Sequence, residues 1–365
     1  MADKPHRNLG AIYTPPDFAQ FLASCAIQDY RQKALDIGVG EGIFTLALFQ
    51  RLRELGASKR EAQRQIFGAE IDGPTYQRFL AGSQEQKLIF PNILPGDFFD
   101  LSFPQVDAVA GNPPYVRRAY LNDNAVGEIR QSVLDTNLQI QESSLTGLTD
   151  LYVYFLLRAI SFLKPGGRLA VITADSWLNT VYGAALREYL CEQFLVERLI
   201  SLDRKVFEDA SVKPVLLVAT KRPNMNSTKS VEFIRLKNGL PINGLKLLLD
   251  NPNKKKPDDV IVTKVKRRDL SGVETWGAYF KAPDVCQEIA SHDLMAPIED
   301  LAKTRIGIQT LAKDFFVLPS ERAHKLQLES LFLEPIAQST RCFNEPIIKA
   351  GTDPYWSMLI ERLQR

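Results

Sequence analysis

The sequence predicts a doubly wound α/β fold, in which helices cover both faces of a largely parallel sheet. Over the first 220 residues, short runs rich in β-branched and apolar residues alternate with longer amphipathic runs. Glycine- or proline-rich turns follow several of the short runs, at the strand ends where open α/β sheets bind ligands. The chain has 365 residues, enough for one large domain and a smaller one.

Six strands and two helices follow from these patterns. The helices are predicted over Gly42–Leu55 and Leu151–Lys164, and Pro165-Gly166-Gly167 closes the second one and turns the chain. The predicted strands are Lys33–Gly38, Gln65–Asp72, Val106–Asn112, Gly167–Ala174, Val196–Leu202 and Pro214–Lys221.

The composition changes after residue 222, where a polar, turn-rich cluster begins. We expect one domain over residues 1–222, a basic linker or connector over 223–295, and the start of a further domain over 296–365. The basic run Asn251–Asp269 is either a stripe that tracks phosphates or a solvated linker, and the linker is favoured.

Bulk composition narrows the class of protein. Net charge is +2, so the overall balance says little about partners. The four cysteines and three histidines are scattered, which predicts neither a disulfide framework nor a metal site. With no signal peptide and no apolar run long enough to span a bilayer, we expect a cytoplasmic protein that does not associate with membranes.

The run LDIGVGEG (Leu35–Gly42) is a strand followed by three alternate glycines and then a helix. Glycines at this position let the backbone approach a nucleoside-containing ligand closely. The spacing differs from the dinucleotide fingerprint, and no lysine makes a phosphate loop. A tight turn without a ligand is the alternative.

Acidic residues end two further apolar runs. GAEID (Gly68–Asp72) places carboxylates where a ribose diol is held, or where a solvated pair would lie. GDFF (Gly96–Phe99) places an acid beside aromatic rings, which suits an adenine amino group and its face. The alternative for the second acid is a helix N-cap.

The tetrapeptide Asn112-Pro113-Pro114-Tyr115 ends the strand predicted to neighbour the glycine-loop strand. The Asn112 side-chain carbonyl and the Pro113 backbone carbonyl can each accept an N–H from an exocyclic amine. Holding both hydrogens turns the lone pair of the amine toward an electrophile. The prolines fix the turn, and Tyr115 offers a face on which a base stacks. A purely structural turn is the alternative.

Taken in order, the motifs resemble those of the gamma-class N6-adenine DNA methyltransferases of restriction-modification systems, the class that includes the TaqI methyltransferase. The resemblance covers about Leu9 to Lys221 and implies a Rossmann-like class I S-adenosylmethionine-dependent methyltransferase fold with a C-terminal recognition region. It is carried by Tyr13-Thr14-Pro15-Pro16, LDIGVGEG, AEID, GDFF, NPPY, DLYVYF (Asp150–Phe155), the run from LKPGG to ADSWL, and DRKVFEDASVKPVLLVATK (Asp203–Lys221).

The resemblance implies a role for each matched residue. Asn112, Pro113, Pro114 and Tyr115 are the expected catalytic turn, and Tyr115 and Phe207 the expected contacts to a flipped-out base. Phe207 has a buried core position as its alternative. Arg117 and Arg118 are candidates for phosphate contacts, or else solvated charges. S-adenosylmethionine is expected to contact Ile12, Thr14, Asp36, Gly38, Glu70, Ile71, Asp97 and Phe98.

The resemblance also implies double-stranded DNA as partner, with the target adenine flipped out of the duplex. No Pro-Cys dipeptide occurs, so cytosine-C5 methylation through a thiolate has no candidate nucleophile, while cytosine-N4 methylation is less clearly separated. Alternatives are methylation of an RNA guanine or a protein glutamine amide by the same turn, and a non-catalytic DNA-binding subunit.

The recognition-like region holds only about 70 residues, fewer than the family normally uses. Either the chain is a fragment, or a separate recognition or nuclease subunit completes the system. Motif-bearing sequence starts by Leu9, so no nuclease is expected ahead of it.

Overall fold

A computed structural model describes residues 14–115, 123–136, 138, 149–202, 213–222, 230–237, 242, 259–272, 275–281, 317–329, 333–335 and 355–358. The chain divides into two compact units, Met1–Ser291 and His292–Arg365. Among the helices of these ranges, none has the length and apolarity needed to cross a bilayer.

The first unit contains a nine-stranded sheet in the order β3-β2-β1-β4-β5-β7-β6-β8-β9. Strands β1 to β5 pair in parallel, and β7 is antiparallel to both neighbours. The strands are β1 (Ala34–Asp36), β2 (Ile66–Glu70), β3 (Ile93–Pro95), β4 (Val106–Gly111), β5 (Leu163–Ala174), β6 (Phe194–Leu202), β7 (Pro214–Lys221), β8 (Ser230–Leu236) and β9 (Val260–Lys266).

Helices pack on both faces of this sheet and bury two apolar clusters, one on each side. Side chains along each strand alternate between the two faces of the sheet, so each face has its own cluster. Helices α1 to α4 contribute to one cluster and α5 to α7 to the other. The helices are α1 (Pro16–Ala26), α2 (Ile43–Glu54), α3 (Lys59–Arg64), α4 (Gly73–Glu85), α5 (Asp123–Leu134), α6 (Leu151–Ser161) and α7 (Gly183–Gln193).

Local sequence explains where two of these helices begin. The Ser58 side chain accepts a hydrogen bond from the Glu61 N–H, and Glu61 accepts one from the Ser58 N–H, a capping box at α3. Asp72 caps α4 by accepting from the Thr75 N–H at 2.9 Å. Asp72 therefore serves the helix, although it lies beside Glu70 at the end of β2.

The prediction of a doubly wound α/β sheet is confirmed, and all six predicted strands are present. Strand β3 was missed because it has three residues, of which only Ile93 is buried. The second predicted helix ends at Ser161, earlier than expected. Strand β5 starts at Leu163 and runs through the Pro-Gly-Gly turn, with a register shift where it pairs with β4.

The domain boundary expected at residue 222 differs from the observed division after Ser291. Strand β8 pairs in parallel with β6 and in antiparallel with β9, so two strands of the expected connector extend the first sheet. The basic run ends in β9 and a 3₁₀ turn (Arg267–Asp269). The segment Trp276–Phe280 then packs its buried rings against Phe233 of β8.

The second unit includes a three-stranded antiparallel sheet in the order β10-β12-β11. Its described elements are β10 (Val317–Pro319), α8 (Ser320–Lys325), β11 (Leu333–Pro335) and β12 (Tyr355–Met358). The assignment of residues 296–365 as the start of a target-recognition domain stays a prediction.

Candidate active site

The glycine loop after β1 and the Asn-Pro-Pro-Tyr turn after β4 lie side by side. The two strands pair in parallel, with Asp36 opposite Ala110, so their carboxyl ends share one edge of the sheet. A Cβ atom added to Gly38 would lie 3.7 Å from the Asn112 carbonyl oxygen and 3.8 Å from Pro114 Cδ. The prediction that these two strands are neighbours is therefore confirmed, and their loops meet at this edge of the sheet.

The backbone of the glycine loop is left-handed at Gly38 (φ 89°), Gly40 (φ 56°) and Gly42 (φ 90°). Residues with a side chain rarely adopt these angles, so glycine is required for the loop's shape. Gly42 is required for space as well, since a Cβ there would come within 2.5 Å of the buried Phe79 ring. At Gly38 and Gly40 the loop presents bare backbone at the sheet edge.

Glu70, at the end of β2, ties two turns of the site together. One carboxylate oxygen accepts from the Gly40 N–H at 2.8 Å, and the other accepts from the Asp72 N–H at 2.9 Å. Each oxygen retains a lone pair for a further donor. Ile71, the next residue, is 56% exposed. The pair offers acceptors for hydroxyl groups beside an apolar surface for a planar ring.

Asp36 is completely buried beneath the glycine loop. Its Oδ2 accepts a 2.7 Å hydrogen bond from the Thr45 hydroxyl, while Oδ1 is buried and accepts none from any described residue. Burial is the main cause that raises the pKa of this carboxyl to about 7, and the nearby charge of Glu70 adds to it. A buried acceptor without a donor is costly, so Asp36 is suited to receive a donor from a ligand.

The Asn112 side chain has a defined orientation. Its Nδ2 donates to the Thr14 hydroxyl oxygen at 3.1 Å, across 98 positions of sequence. Its Oδ1 is buried and accepts no hydrogen bond within the described ranges. The amide thus has its nitrogen engaged and its carbonyl oxygen free, the state that an incoming amine requires.

Tyr115 follows the prolines and packs against Tyr152 of α6, with ring centroids 5.8 Å apart. The Tyr152 hydroxyl lies 2.9 Å from Ser176 Oγ, at the 3₁₀ turn after β5. The Tyr182 hydroxyl donates to Asp150 at 2.8 Å, at the start of α6. Burial raises the pKa of the Tyr115 and Tyr152 phenols well above the ordinary value, so both stay neutral. Tyr152 of the DLYVYF run thus packs against the last residue of the Asn-Pro-Pro-Tyr turn.

Asp97 and Phe98 differ in their surroundings. Asp97 is half-buried, and its Oδ1 accepts from the Phe99 N–H at 2.9 Å, which closes a turn over residues 98–100. Within this described stretch no helix begins, so Asp97 is not a helix N-cap. Phe98 is 3% exposed, and its ring stacks on Phe155 with centroids 5.4 Å apart. The ring of Phe98 is thus part of the core, and the roles expected for this pair stay predictions.

Four expected site residues lie outside the described residues, namely Ile12, Arg117, Arg118 and Phe207. The described ranges hold no group of three or more His, Cys, Asp or Glu side chains placed to bind a metal ion.

The strand order, the glycine loop and the buried carboxylate beneath it define the fold of the class I S-adenosylmethionine-dependent methyltransferases. The solved structure of the type IIG restriction endonuclease BpuSI matches 97% of this chain and 43% of its own, with a TM-score of 0.63 and 18% identity. A protein from Listeria monocytogenes, provisionally assigned as a class I S-adenosylmethionine-dependent methyltransferase, matches 68% of this chain and 73% of its own, with a TM-score of 0.52 and 17% identity.

Residues 59–207 match the model of the Eco57I restriction-modification methylase family. The type II methyltransferase M.AccI from Acinetobacter calcoaceticus is 23% identical over 340 residues, which cover 92% of this chain and 58% of that protein. The expected resemblance to restriction-modification methyltransferases is therefore confirmed. The chain matches 42% to 66% of the length of the first three curated relatives, so it spans roughly half of such a protein.

Proposed function

We propose that this chain is a DNA methyltransferase of a restriction-modification system, which transfers a methyl group from S-adenosylmethionine to the N6 amine of a flipped-out adenine. The single observation that carries the proposal is the buried, unpaired Oδ1 of Asn112, in a proline-fixed turn beside the glycine loop. The match to restriction-modification methylases supports the reaction class. The choice of adenine rests on the Asn-Pro-Pro-Tyr turn.

Several features of the sheet edge around the glycine loop suit S-adenosylmethionine. Asp36 Oδ1 lacks a donor, Glu70 retains lone pairs for ribose hydroxyls, and Ile71 presents an apolar surface to an adenine ring. The glycine loop leaves room for a ligand against its backbone. We assign Thr14, Gly38, Asp97 and Phe98 to the same site, with Ile12 from the sequence. When bound, the cofactor supplies an electrophilic methyl group carried on a positively charged sulfur.

The protein's part in the reaction is to orient the amine. An adenine amine is a weak nucleophile, because its lone pair is delocalised into the ring. Asn112 Oδ1 and the Pro113 carbonyl accept its two hydrogens, which localises the lone pair and directs it at the methyl carbon. As the N–C bond forms, the bond between the methyl carbon and sulfur would break with its electron pair left on sulfur, and one amine proton would pass to water. Tyr115, held by Tyr152, offers its face to the base.

Double-stranded DNA is the proposed partner, with Arg117 and Arg118 at its phosphates and Phe207 at the flipped base. A separate recognition or nuclease subunit is proposed as a second partner, because the chain spans roughly half the length of its curated relatives. A cytoplasmic location follows from that role.

The decisive experiment is nucleoside mass spectrometry after incubation with methyl-labelled S-adenosylmethionine and unmethylated duplex DNA of mixed sequence. The wild-type protein is compared with Asn112→Ala and with Asn92→Ala, an asparagine at the amino end of β3 and thus at the opposite edge of the sheet. We expect labelled N6-methyladenine from the wild type and Asn92→Ala, and a loss of roughly 100-fold or more in Asn112→Ala.

Other outcomes correct specific parts of the proposal. Labelled N4-methylcytosine would show that the target base is cytosine and would leave the orienting role of Asn112 in place. Label in RNA guanine or in glutamine amides of added protein would show that the substrate is RNA or protein instead of DNA. Cofactor binding without transfer to any of these would point to a missing recognition partner, whereas the absence of cofactor binding would favour the non-catalytic DNA-binding subunit.

A further inference from the structure

Thr14 and Asn112 come from distant parts of the sequence and meet at the centre of the site. Thr14 is 5% exposed, and its hydroxyl oxygen accepts the 3.1 Å hydrogen bond from Asn112 Nδ2. Resemblance assigns Thr14 to the cofactor alone. The observed contact is to the side chain that we propose orients the amine.

The position of Thr14 is fixed by the helix that follows it. Pro15 caps α1 in an extended conformation, and Pro16 occupies its first position, where the missing N–H costs nothing. Helix α1 buries most of its apolar residues against α2 and the sheet. A threonine held at the start of such a helix has little freedom to move.

The other end of α1 is anchored to the sheet as well. Arg168 of β5 donates from Nε to the Cys25 carbonyl at 2.6 Å, close to the helix C-terminus, where a positive charge is favourable. The same guanidinium pairs with Glu197 of β6 at 3.1 Å. Helix α1 is therefore tied to the strands beside the catalytic turn, and Thr14 is a fixed acceptor.

The hydrogen bond to Thr14 holds the Asn112 amide in the observed orientation. Rotation of the amide by half a turn exchanges its NH₂ group and its oxygen, which differ in hydrogen-bonding role but barely in shape. A threonine hydroxyl can donate as well as accept, but in the structure it accepts from Nδ2, which leaves Oδ1 on the opposite side. Without that acceptor, the reversed amide would present donors to an amine that also donates.

We infer that Thr14 is a positioning residue for the methyl transfer, because its hydroxyl sets the orientation of the Asn112 amide. The inference rests on the proposed function and adds a second requirement to it. A residue that only holds the cofactor affects cofactor affinity, whereas a residue that orients Asn112 affects turnover when the cofactor is saturating.

Two substitutions separate these roles. Thr14→Val keeps the shape and removes the hydroxyl, and Thr14→Ser keeps the hydroxyl and removes a methyl group. Turnover is measured at saturating S-adenosylmethionine and DNA, and the cofactor dissociation constant is measured by calorimetry without DNA. We expect Thr14→Val to lower kcat about tenfold, as for loss of one buried hydrogen bond, and Thr14→Ser to stay within about twofold of the wild type.

A second readout needs neither cofactor nor DNA. In protein labelled with ¹⁵N-asparagine, the Asn112 side-chain NH₂ signal is identified by its absence in Asn112→Ala. We expect slow hydrogen exchange of this group in the wild type and in Thr14→Ser, and faster exchange in Thr14→Val. Thermal unfolding verifies that each variant is folded, and Thr14→Ala replaces Thr14→Val if the valine does not fit.

The inference is overturned if Thr14→Val weakens cofactor binding but leaves kcat and the exchange of the Asn112 NH₂ group unchanged. It is also overturned if Thr14→Ser loses as much turnover as Thr14→Val. Failure of the proposed function is a separate result, because it appears in the wild-type protein as the absence of any transferred label. In that case the exchange measurement still tests the hydrogen bond between Thr14 and Asn112. The proposed role of that hydrogen bond in methyl transfer is then refuted together with the proposed function.

Discussion

The buried carboxyl of Asp36 makes protein stability depend on pH in a way that can be measured. The perturbation is Asp36→Asn, which removes the charge and keeps an acceptor for the Thr45 hydroxyl. Burial raises the pKa of Asp36 from 3.8 to about 7 in the folded protein. Between these two values the folded state binds a proton that the unfolded state has released, so the wild-type protein loses stability as the pH rises.

The magnitude follows from the size of the shift. The raised pKa lies about 3 units above 3.8, and each unit is worth ~1.4 kcal/mol, which gives roughly 4 kcal/mol. Below about pH 4 the carboxyl is protonated in the folded and the unfolded state, so the folded protein does not bear the cost of a buried charge. Above about pH 7 the carboxyl is ionised in both states, and the folded protein bears this cost in full. Asp36→Asn carries no such dependence, so its constant cost cancels when the two proteins are compared across pH.

The assay is urea unfolding of the wild type and Asp36→Asn at a series of pH values from 4 to 8, followed by far-UV circular dichroism. We expect the free energy of unfolding of the variant, relative to the wild type, to rise with pH by up to ~4 kcal/mol and then to level off. Thr45→Val removes the 2.7 Å hydrogen bond that lowers the pKa of Asp36. In that variant the pKa should rise further, so the free energy of unfolding should keep falling to a higher pH. Parallel pH profiles for the wild type and Asp36→Asn would refute the reasoning.

Three further predictions concern the glycine loop and the end of β2. Glu70→Ala removes the acceptor of the Gly40 N–H, and we expect cofactor affinity to fall about tenfold or more by calorimetry, while Glu70→Gln retains part of it through its amide oxygen. Gly42→Ala should lower the free energy of unfolding by ~2–5 kcal/mol, since strain at φ 90° adds to overlap with the Phe79 ring. Gly40→Ala meets nothing within 4 Å and should cost only ~1–2 kcal/mol; equal losses would contradict the overlap argument. Ile71→Ala should weaken cofactor binding several-fold and leave the melting temperature of the protein without cofactor unchanged, because the side chain is 56% exposed.

The sequence was sufficient to predict the sheet and the placement of its ligand-binding edge. Six strands were recognisable because each is a short apolar run, and β1 and β4 also end in turns whose residues have a definite role, Gly38 and Pro113. Strand β3 gave too weak a signal, with one buried residue in three. Strands β8 and β9 were hidden because their region is basic and rich in turn residues, and their pairing is set by tertiary contacts.

The site was predictable in its residues and less so in their contacts. Asp36, Glu70 and Asn112 could be selected from motifs, but the unpaired oxygens on Asp36 and Asn112 depend on neighbours that no local pattern specifies. The contact between Asn112 and Thr14 joins residues 98 positions apart. Likewise, local sequence did not indicate that Phe98 lies in an aromatic cluster within the core.

The position of β7 has a consequence for synthesis on the ribosome. Strand β6 is made before β7 but pairs with it and with β8, and β7 lies between β5 and β6. A nascent chain that has not yet released Pro214–Lys221 therefore exposes the open edge of β5 and holds β6 without a partner. Such edges promote association between chains. Because the ribosome tunnel encloses the most recently made residues, a pause that leaves β6 outside the tunnel and β7 still inside it should favour aggregation more than a pause after both strands have emerged.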